Sequence, residues 1–283
     1  LGISRVHYHQ VLGFPNEIWQ LADKLACAYD FTAHDFMPIC PRITMIDETG
    51  HYCAESQFDV NKCQRCIELN GVTNQVVEQH LEEFEGSVTK WREFYAAVLA
   101  QAQHIFCPSS STASIYQQHL PLTSIKVKPH PEESFVISPL PALAENTVLS
   151  VAVIGAIGNH KGYQLLLDCA KNALKEGLAL HFVVVGYTQD DQQLSKLQNV
   201  SITGVYQNAE QLAELLQQYK CKVAAFLSVW PETFSYTLTE ALRHNLYPVA
   251  LNYGAIAERL QALNFGQIIA TDLTSPEINQ ALL

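Results

Sequence analysis

The stretch Val148-Leu149-Ser150-Val151-Ala152-Val153-Ile154-Gly155-Ala156-Ile157-Gly158-Asn159-His160-Lys161-Gly162 decides the fold. Its first seven residues form a valine-rich apolar run, as a parallel strand covered on both faces should, and the run ends at Gly155. Beyond it, Leu165, Leu166, Leu167, Cys169, Ala170 and Leu174 recur at helical period until Gly177. The order is strand, glycine turn, helix.

Working toward the C-terminus, the alternation repeats. Strands are predicted at His181 to Val185 (ending at Gly186), Val200 to Thr203, Val223 to Leu227 and Tyr247 to Leu251. Helices are predicted at Asp191 to Leu197, Ala209 to Tyr219, Tyr236 to His244 and Ile256 to Leu263. Such regular alternation predicts a parallel sheet with helices on both faces, so residues 146–283 form one Rossmann-like lobe. Working toward the N-terminus, the same grammar is less complete. Strands at Ser4 to Tyr8, Phe31 to His34 and His104 to Cys107, with helices at Glu17 to Ala28, Val88 to Ala102 and Ser110 to His119, read as part of a second such lobe over residues 1–135. An irregular, Cys-rich loop spans residues 35–66, and Pro129 to Asn146, with four prolines, reads as the linker. The chain starts at Leu1 without a methionine and ends at Leu283 inside a predicted helix, so both ends read as cuts: the N-terminal lobe is expected to be incomplete and the C-terminal one truncated.

Composition limits what the fold can serve. With 283 residues, 48% hydrophobic and 16% charged, the chain has material for two buried cores. A net charge of −11 leaves no basic stripe for nucleic acid, and no run of 18 apolar residues or signal-peptide pattern is present. Eight cysteines in a chain of this length fit a reducing, cytoplasmic setting better than a disulfide scaffold.

The chemistry-bearing motifs sit at the carboxyl ends of predicted strands, where open α/β sheets bind ligands. In Gly155 to Gly162, glycines let the backbone approach a phosphate, the following helix presents unpaired N–H groups, and Lys161 adds a full charge. Alone, such a turn also serves purely steric ends. In Pro231-Glu232-Thr233-Phe234-Ser235-Tyr236-Thr237-Leu238-Thr239-Glu240-Ala241-Leu242, seven residues separate two glutamates. If helix runs between them, they lie about two turns apart, one at the helix N-terminus and one deeper. Carboxylates accept hydrogen bonds from sugar hydroxyls, so the pair can hold a hexose and a ribose. The bland reading has Glu232 complementing the helix dipole and Glu240 on a solvated face. A third motif, Phe31-Thr32-Ala33-His34-Asp35, ends an N-terminal strand; His7 and His9 flank another strand end and rank below His34.

With these residues in view, the C-terminal lobe resembles the donor domain of retaining GT-B glycosyltransferases of the GT4 type (the group 1 family), strongly over 148–260 and more loosely before that. Their signatures are a glycine turn with a lysine-glycine pair and a Glu-x7-Glu block. The resemblance implies a hexosyltransferase of two Rossmann-like lobes, the N-terminal one on the acceptor side. It implies that Lys161 neutralises the donor diphosphate, supported by Gly155, Gly158 and Gly162. Glu232 would hold donor-sugar hydroxyls and Glu240 the ribose, with the backbone of Phe234, Ser235 and Tyr236 facing phosphates or sugar. His34 is the candidate catalytic or sugar-positioning residue. The chain departs from the family pattern at Ala156, where an arginine is common, and at Ser235, where a glycine is. The family's habit implies a glycan or lipid-linked acceptor, cell-surface polysaccharide assembly and peripheral association with the inner face of the cytoplasmic membrane. No Asp-x-Asp triplet occurs, so the transfer step is expected to need no metal.

Two rivals share these features. One is a GT-B nucleotide-sugar epimerase of the non-hydrolysing kind. The other is a pseudo-glycosyltransferase serving as a binding module, which Ala156 and Ser235 favour and the intact Lys161, Glu232 and Glu240 disfavour. Separately, Cys40, Cys53, Cys63 and Cys66 put four thiols, including one Cys-x2-Cys pair, in a loop with little other means of holding shape. Structural zinc is one reading; reduced cysteines, an iron–sulfur cluster or disulfides are the others.

Overall fold

The computed structural model describes residues 2–47, 49–53, 59–71, 86–132, 134–137 and 148–283. The expected linker therefore lies in part outside the described residues, Pro139 and Pro141 included. The chain divides into two compact units: Leu1–His130 together with Trp230–Phe234, and Pro131–Val229 together with Ser235–Leu283.

In the first unit, strand β1 (Arg5–Tyr8) leads through a 3-10 turn (Asn16–Gln20) into the short helix α1 (Leu21–Lys24) and strand β2 (Ala28–Thr32). Helices α2 (Val60–Asn70) and α3 (Val88–Ala100) follow, then strand β3 (His104–Cys107), helix α4 (Ser110–His119) and strand β4 (Ile125–Val127). The strands form a parallel sheet in the order β1-β2-β3-β4. The helix expected to reach Ala28 stops at Lys24. Ala26 turns at φ 51°, Cys27 N–H donates to the Ala22 carbonyl, and the chain enters β2 three residues earlier than the apolar pattern suggests. The cause is Asp30, a charged residue inside the strand, buried because Arg5 and His104 bond it from the strands on either side. His34 accordingly lies two residues past the end of β2. The irregular stretch after it holds its shape better than expected, because Phe36, Met37, Ile39, Ile43 and Met45 are all buried in the first unit's core.

In the second unit, strand β5 (Leu149–Ile157) is followed by a 3-10 turn (Asn159–Lys161) and helix α5 (Tyr163–Glu176). Then come β6 (Leu180–Thr188), α6 (Asp191–Leu194), β7 (Val200–Ile202), α7 (Ala209–Gln218) and β8 (Val223–Phe226). The series ends with α8 (Tyr236–Arg243), β9 (Tyr247–Leu251), α9 (Gly254–Leu263), β10 (Gln267–Ile269) and α10 (Ser275–Leu282). All six strands are parallel in the order β10-β9-β8-β5-β6-β7. This is the doubly wound order whose direction reverses between β5 and β8, and ligands bind at such reversals. Alternate residues of β5 serve opposite faces: Leu149, Val151 and Val153 pack with α5 and α10, while Ala152 and Ile154 pack with α7, α8 and α9. Fully buried Leu166 and Leu212 each contribute about 1.5–3 kcal/mol to these two layers.

Two strands outrun their expected ends. β5 and β6 continue past Gly155 and Gly186, which pair with each other in register. A Cβ on Gly186 would lie 2.1 Å from the Gly155 carbonyl oxygen, so the pair of glycines lets the strands run on together. The glycine turn proper therefore begins at Gly158, and Gly155 is a strand residue.

Candidate functional site

In the second unit, the segments leaving β5 and β8 meet at the point where the strand order reverses. Gly162 sits at φ 81° between the 3-10 turn and α5, and a Cβ there would fall 2.0 Å from the Leu227 carbonyl oxygen. Only glycine satisfies both the backbone angle and the space. Val229 N–H donates to the His160 carbonyl at 3.1 Å, tying the loop after β8 to the turn that carries Lys161. Lys161 is part-exposed within that turn, and its N–H donates to the Gly158 carbonyl at 3.0 Å. Gly155 comes beside the first turn of α8, with Thr237 Cγ2 3.5 Å from where its Cβ would be.

The entrance to α8 is held by side chains that sequence reasoning missed. Arg259 Nη1 donates to the Ser235 carbonyl at 2.8 Å, and its Nη2 donates to Glu132 Oε2 at 2.8 Å and Thr239 Oγ1 at 2.9 Å. Thr239 Oγ1 also donates to Glu132 Oε2 at 2.5 Å. Ser235 itself is buried at φ 74° and ψ 91°, a conformation that suits glycine. The substitution from the family's glycine thus falls at a position whose backbone still has the glycine shape. The exposed Ala156, the other departure, lies at the end of β5.

The helix does not run between the two glutamates. It begins at Tyr236, so Glu232 lies outside it in an irregular segment, 7% exposed, and the two carboxylates do not share helix faces. Glu240 lies in the helix and is not a solvated face residue: its side chain is about a quarter exposed and Arg243 Nη1 donates to its Oε1 at 3.0 Å. Its other oxygen, Oε2, is buried and accepts no hydrogen bond among the described residues, with His244 Nε2 at 3.9 Å. A buried carboxylate oxygen without a donor costs about 1–3 kcal/mol or more. Burial, and then the charge of Glu240, raises the pKa of the nearby Tyr206 phenol.

In the first unit, His34 lies with the segment Trp230–Phe234. Thr233 Oγ1 donates to the His34 carbonyl at 2.8 Å, and Trp230 packs edge-on against Phe36 at 5.8 Å between centroids. His34 stacks on His130 (centroids 5.0 Å apart, planes 12°), and His130 meets Phe234 edge-on at 5.0 Å. Its Nε2 lies 3.0 Å from His9 Nδ1, and His9 stacks on His7 at 4.3 Å. Burial, then His130, His9 and His7, pushes the His34 imidazole down to about 4, so it is neutral at ordinary pH. His130 carries no sequence signal; it joins this row only because distant segments fold together.

Residues 131–282, more than half of the chain, match the family of glycosyl transferases group 1. Among curated protein sequences, none matches. Among solved structures, HepE of Anabaena, in complex with UDP-glucose, is 15% identical over 92% of this chain and 63% of its own, with a TM-score of 0.56. Sucrose-phosphate synthase from Thermosynechococcus elongatus is 13% identical over 99% of this chain and 64% of its own, with a TM-score of 0.62. The pneumococcal O-GlcNAc transferase GtfA, in complex with UDP and GlcNAc, is 15% identical over 95% of this chain and 46% of its own, with a TM-score of 0.54. The chain thus spans about half to two thirds of the length of these structures, and identities this low speak for the fold alone. The doubly wound second unit and the family match over it lead to one conclusion: this chain belongs to the group 1 glycosyl transferase family and has its GT-B fold.

Proposed function

We propose that the chain is the greater part of a retaining GT-B glycosyltransferase of the GT4 type. It moves a hexose from a nucleoside diphosphate sugar to a glycan or lipid-linked acceptor in cell-surface polysaccharide assembly, on the cytoplasmic side of the membrane. The observation that carries this reading is Glu240, whose buried Oε2 accepts no hydrogen bond among the described residues and lies beside Tyr206, Arg243 and His244. A ribose hydroxyl is the donor that oxygen lacks. The complexes of HepE and GtfA make UDP the first nucleoside diphosphate to test.

The remaining roles follow from chemistry. Lys161, at a turn held open by Gly158 and Gly162, offsets charge growing on the departing diphosphate. Glu232 accepts hydrogen bonds from donor-sugar hydroxyls. The backbone of Phe234, Ser235 and Tyr236 meets phosphates or sugar. His34, neutral and with Nε2 engaged by His9, meets the sugar through Nδ1 as a hydrogen-bond partner rather than a cation. If the acceptor oxygen attacks on the face from which the diphosphate leaves, configuration is retained without a protein nucleophile, and the sugar passes through an oxocarbenium-like state.

The test is acceptor-dependent release of nucleoside diphosphate, with the anomeric configuration of the product read by NMR and no divalent cation added. Turnover should retain configuration and fall at least about 100-fold in Lys161→Ala and Glu232→Gln. Conversion of free nucleotide-sugar without acceptor would replace this reading with an epimerase. Unchanged binding and turnover in both variants would replace it with a non-catalytic binding module.

A further inference from the structure

The loop expected over residues 35–66 ends earlier, because Asp59 caps helix α2 and puts Cys63 and Cys66 on that helix; with Cys40 and Cys53 of the irregular stretch they have no part in the donor chemistry, yet the fold gathers all four. Cys40, Cys53, Cys63 and Cys66 all line one cavity of about 230 Å³ in the first unit. Cys40 closes a turn by donating its N–H to the Phe36 carbonyl at 2.8 Å. Cys53 follows a second turn, clamped by the bridge between Ile46 and Tyr52, and donates its N–H to the Met45 carbonyl at 2.9 Å. Cys63 and Cys66, three residues apart on α2, occupy one face of that helix. All four thiols are free of disulfides.

The other side chains of the cavity suit the same occupant. Each of its two acids has one oxygen engaged: Asp47 Oδ1 accepts from the Thr49 hydroxyl at 2.6 Å and from His51 N–H at 3.2 Å, and Asp59 Oδ1 caps α2 by accepting from Asn61 N–H at 2.9 Å. Four sulfurs outnumber these acids, and Cys53 Sγ already donates to the Met45 carbonyl at 3.0 Å. Arg42, Lys62 and Arg92 line the cavity as well, and Arg92 Nη2 donates to Cys63 Sγ at 3.4 Å. Donors of this kind stabilise thiolate ligands from outside the coordination sphere.

We propose that Cys40, Cys53, Cys63 and Cys66 bind one Zn²⁺ in a closed tetrahedral site that pins the irregular stretch to α2. Four S–H groups release their protons to solvent, four Zn–S bonds form, and the resulting double negative charge is balanced by the surrounding cations. With all positions filled by sulfur, the ion is structural. Among the described residues no three His, Cys, Asp or Glu side chains stand as a metal cage, so the ion itself has to draw the four sulfurs together. The proposal is independent of the donor reading, and either can fail alone.

The experiment uses the full chain as purified. Metal content after desalting should be about one zinc per chain, and the stripped chain given Co²⁺ alone should acquire the visible absorption of a tetrahedral tetrathiolate. The double substitution Cys63→Ser with Cys66→Ser should abolish both, while Cys27→Ser, outside the cavity, should keep both. A folded chain without metal that takes up no Co²⁺, iron in place of zinc, or zinc retained by the double variant would overturn the proposal. If the double variant does not fold, counting reactive thiols in the native wild type decides. A chelator should unmask four more; an unchanged count would overturn it.

Discussion

The two units hold their candidate site residues in place in different ways. In the second, the constraint lies in the backbone: Gly162 against Leu227, the paired Gly155 and Gly186, and the glycine-like angles of Ser235. In the first, it lies in side chains from segments far apart in the chain: Asp30 between Arg5 and His104, and the row of His7, His9, His34 and His130. Backbone constraints leave residue types that can be read in a row, whereas a side-chain cluster leaves nothing until the chain is folded.

The comparison can be broken by substitution. The largest effect is expected at Gly162→Ala. The added methyl meets a main-chain oxygen at 2.0 Å, and urea unfolding should show a loss of about 4 kcal/mol or more, or no folded protein at all. A loss below about 1 kcal/mol would mean that the loop after β8 is free to move aside.

The side-chain counterpart is Asp30→Asn, which removes the charge from two bonds, at 2.6 and 3.0 Å, and replaces one of the two acceptor oxygens with an amide donor; it should cost about 2 kcal/mol. Burial alone would raise the Asp30 pKa, but Arg5 and then His104 hold it below the usual carboxylate value. Its contribution is therefore present above the unfolded carboxylate pKa and lost as pH falls through the folded one. The Asn variant should lose that acid sensitivity.

The histidine row gives a smaller effect of different shape. Because His34 titrates at about 4 when folded and near 6.5 when unfolded, the unfolded chain binds more protons between those values. Stability is complete above about 6.5 and declines as pH falls toward 4. The substitution His34→Gln should flatten part of that slope, as followed by denaturant midpoints across the window; an unaltered slope would assign it to other groups, His119 among them.

The smallest effect, and a gain, is expected at Ser235→Gly. Relief of the φ 74° backbone should add about 1 kcal/mol, set against the loss of the contact of Ser235 Oγ with Thr237 Oγ1 at 3.2 Å. A loss of stability would show that the hydroxyl contact outweighs the strain.

The same contrast explains what could be read in advance. The alternation of the second unit was plain because both faces of its sheet are covered, so strands such as Val151 to Ile154 are apolar without interruption. What misled was glycine: Gly155 and Gly186 read as strand ends, but facing each other they prolong the strands. In the first unit Asp30 broke the apolar run of β2, and Ala26 hid the end of α1. The motif carrying Glu232 and Glu240 was visible, but its helical continuity was not, because the break at Ser235 is a backbone angle carried by a residue that does not announce it. Arg259, Glu132 and His130 had no local pattern at all; their roles come from residues up to 127 positions away.

The central claim, that this chain grips a nucleotide-sugar through the second motif, is tested most directly by thermal unfolding against a panel of nucleoside diphosphate sugars headed by UDP-glucose. The wild-type chain should be stabilised by at least one of them, because a ligand of the folded state raises its melting temperature by mass action. Glu240→Gln should melt at nearly the wild-type temperature without ligand and bind the same donor at least about tenfold more weakly, which is about 1.4 kcal/mol. A panel that stabilises nothing, or a variant stabilised as much as the wild type, would contradict the account.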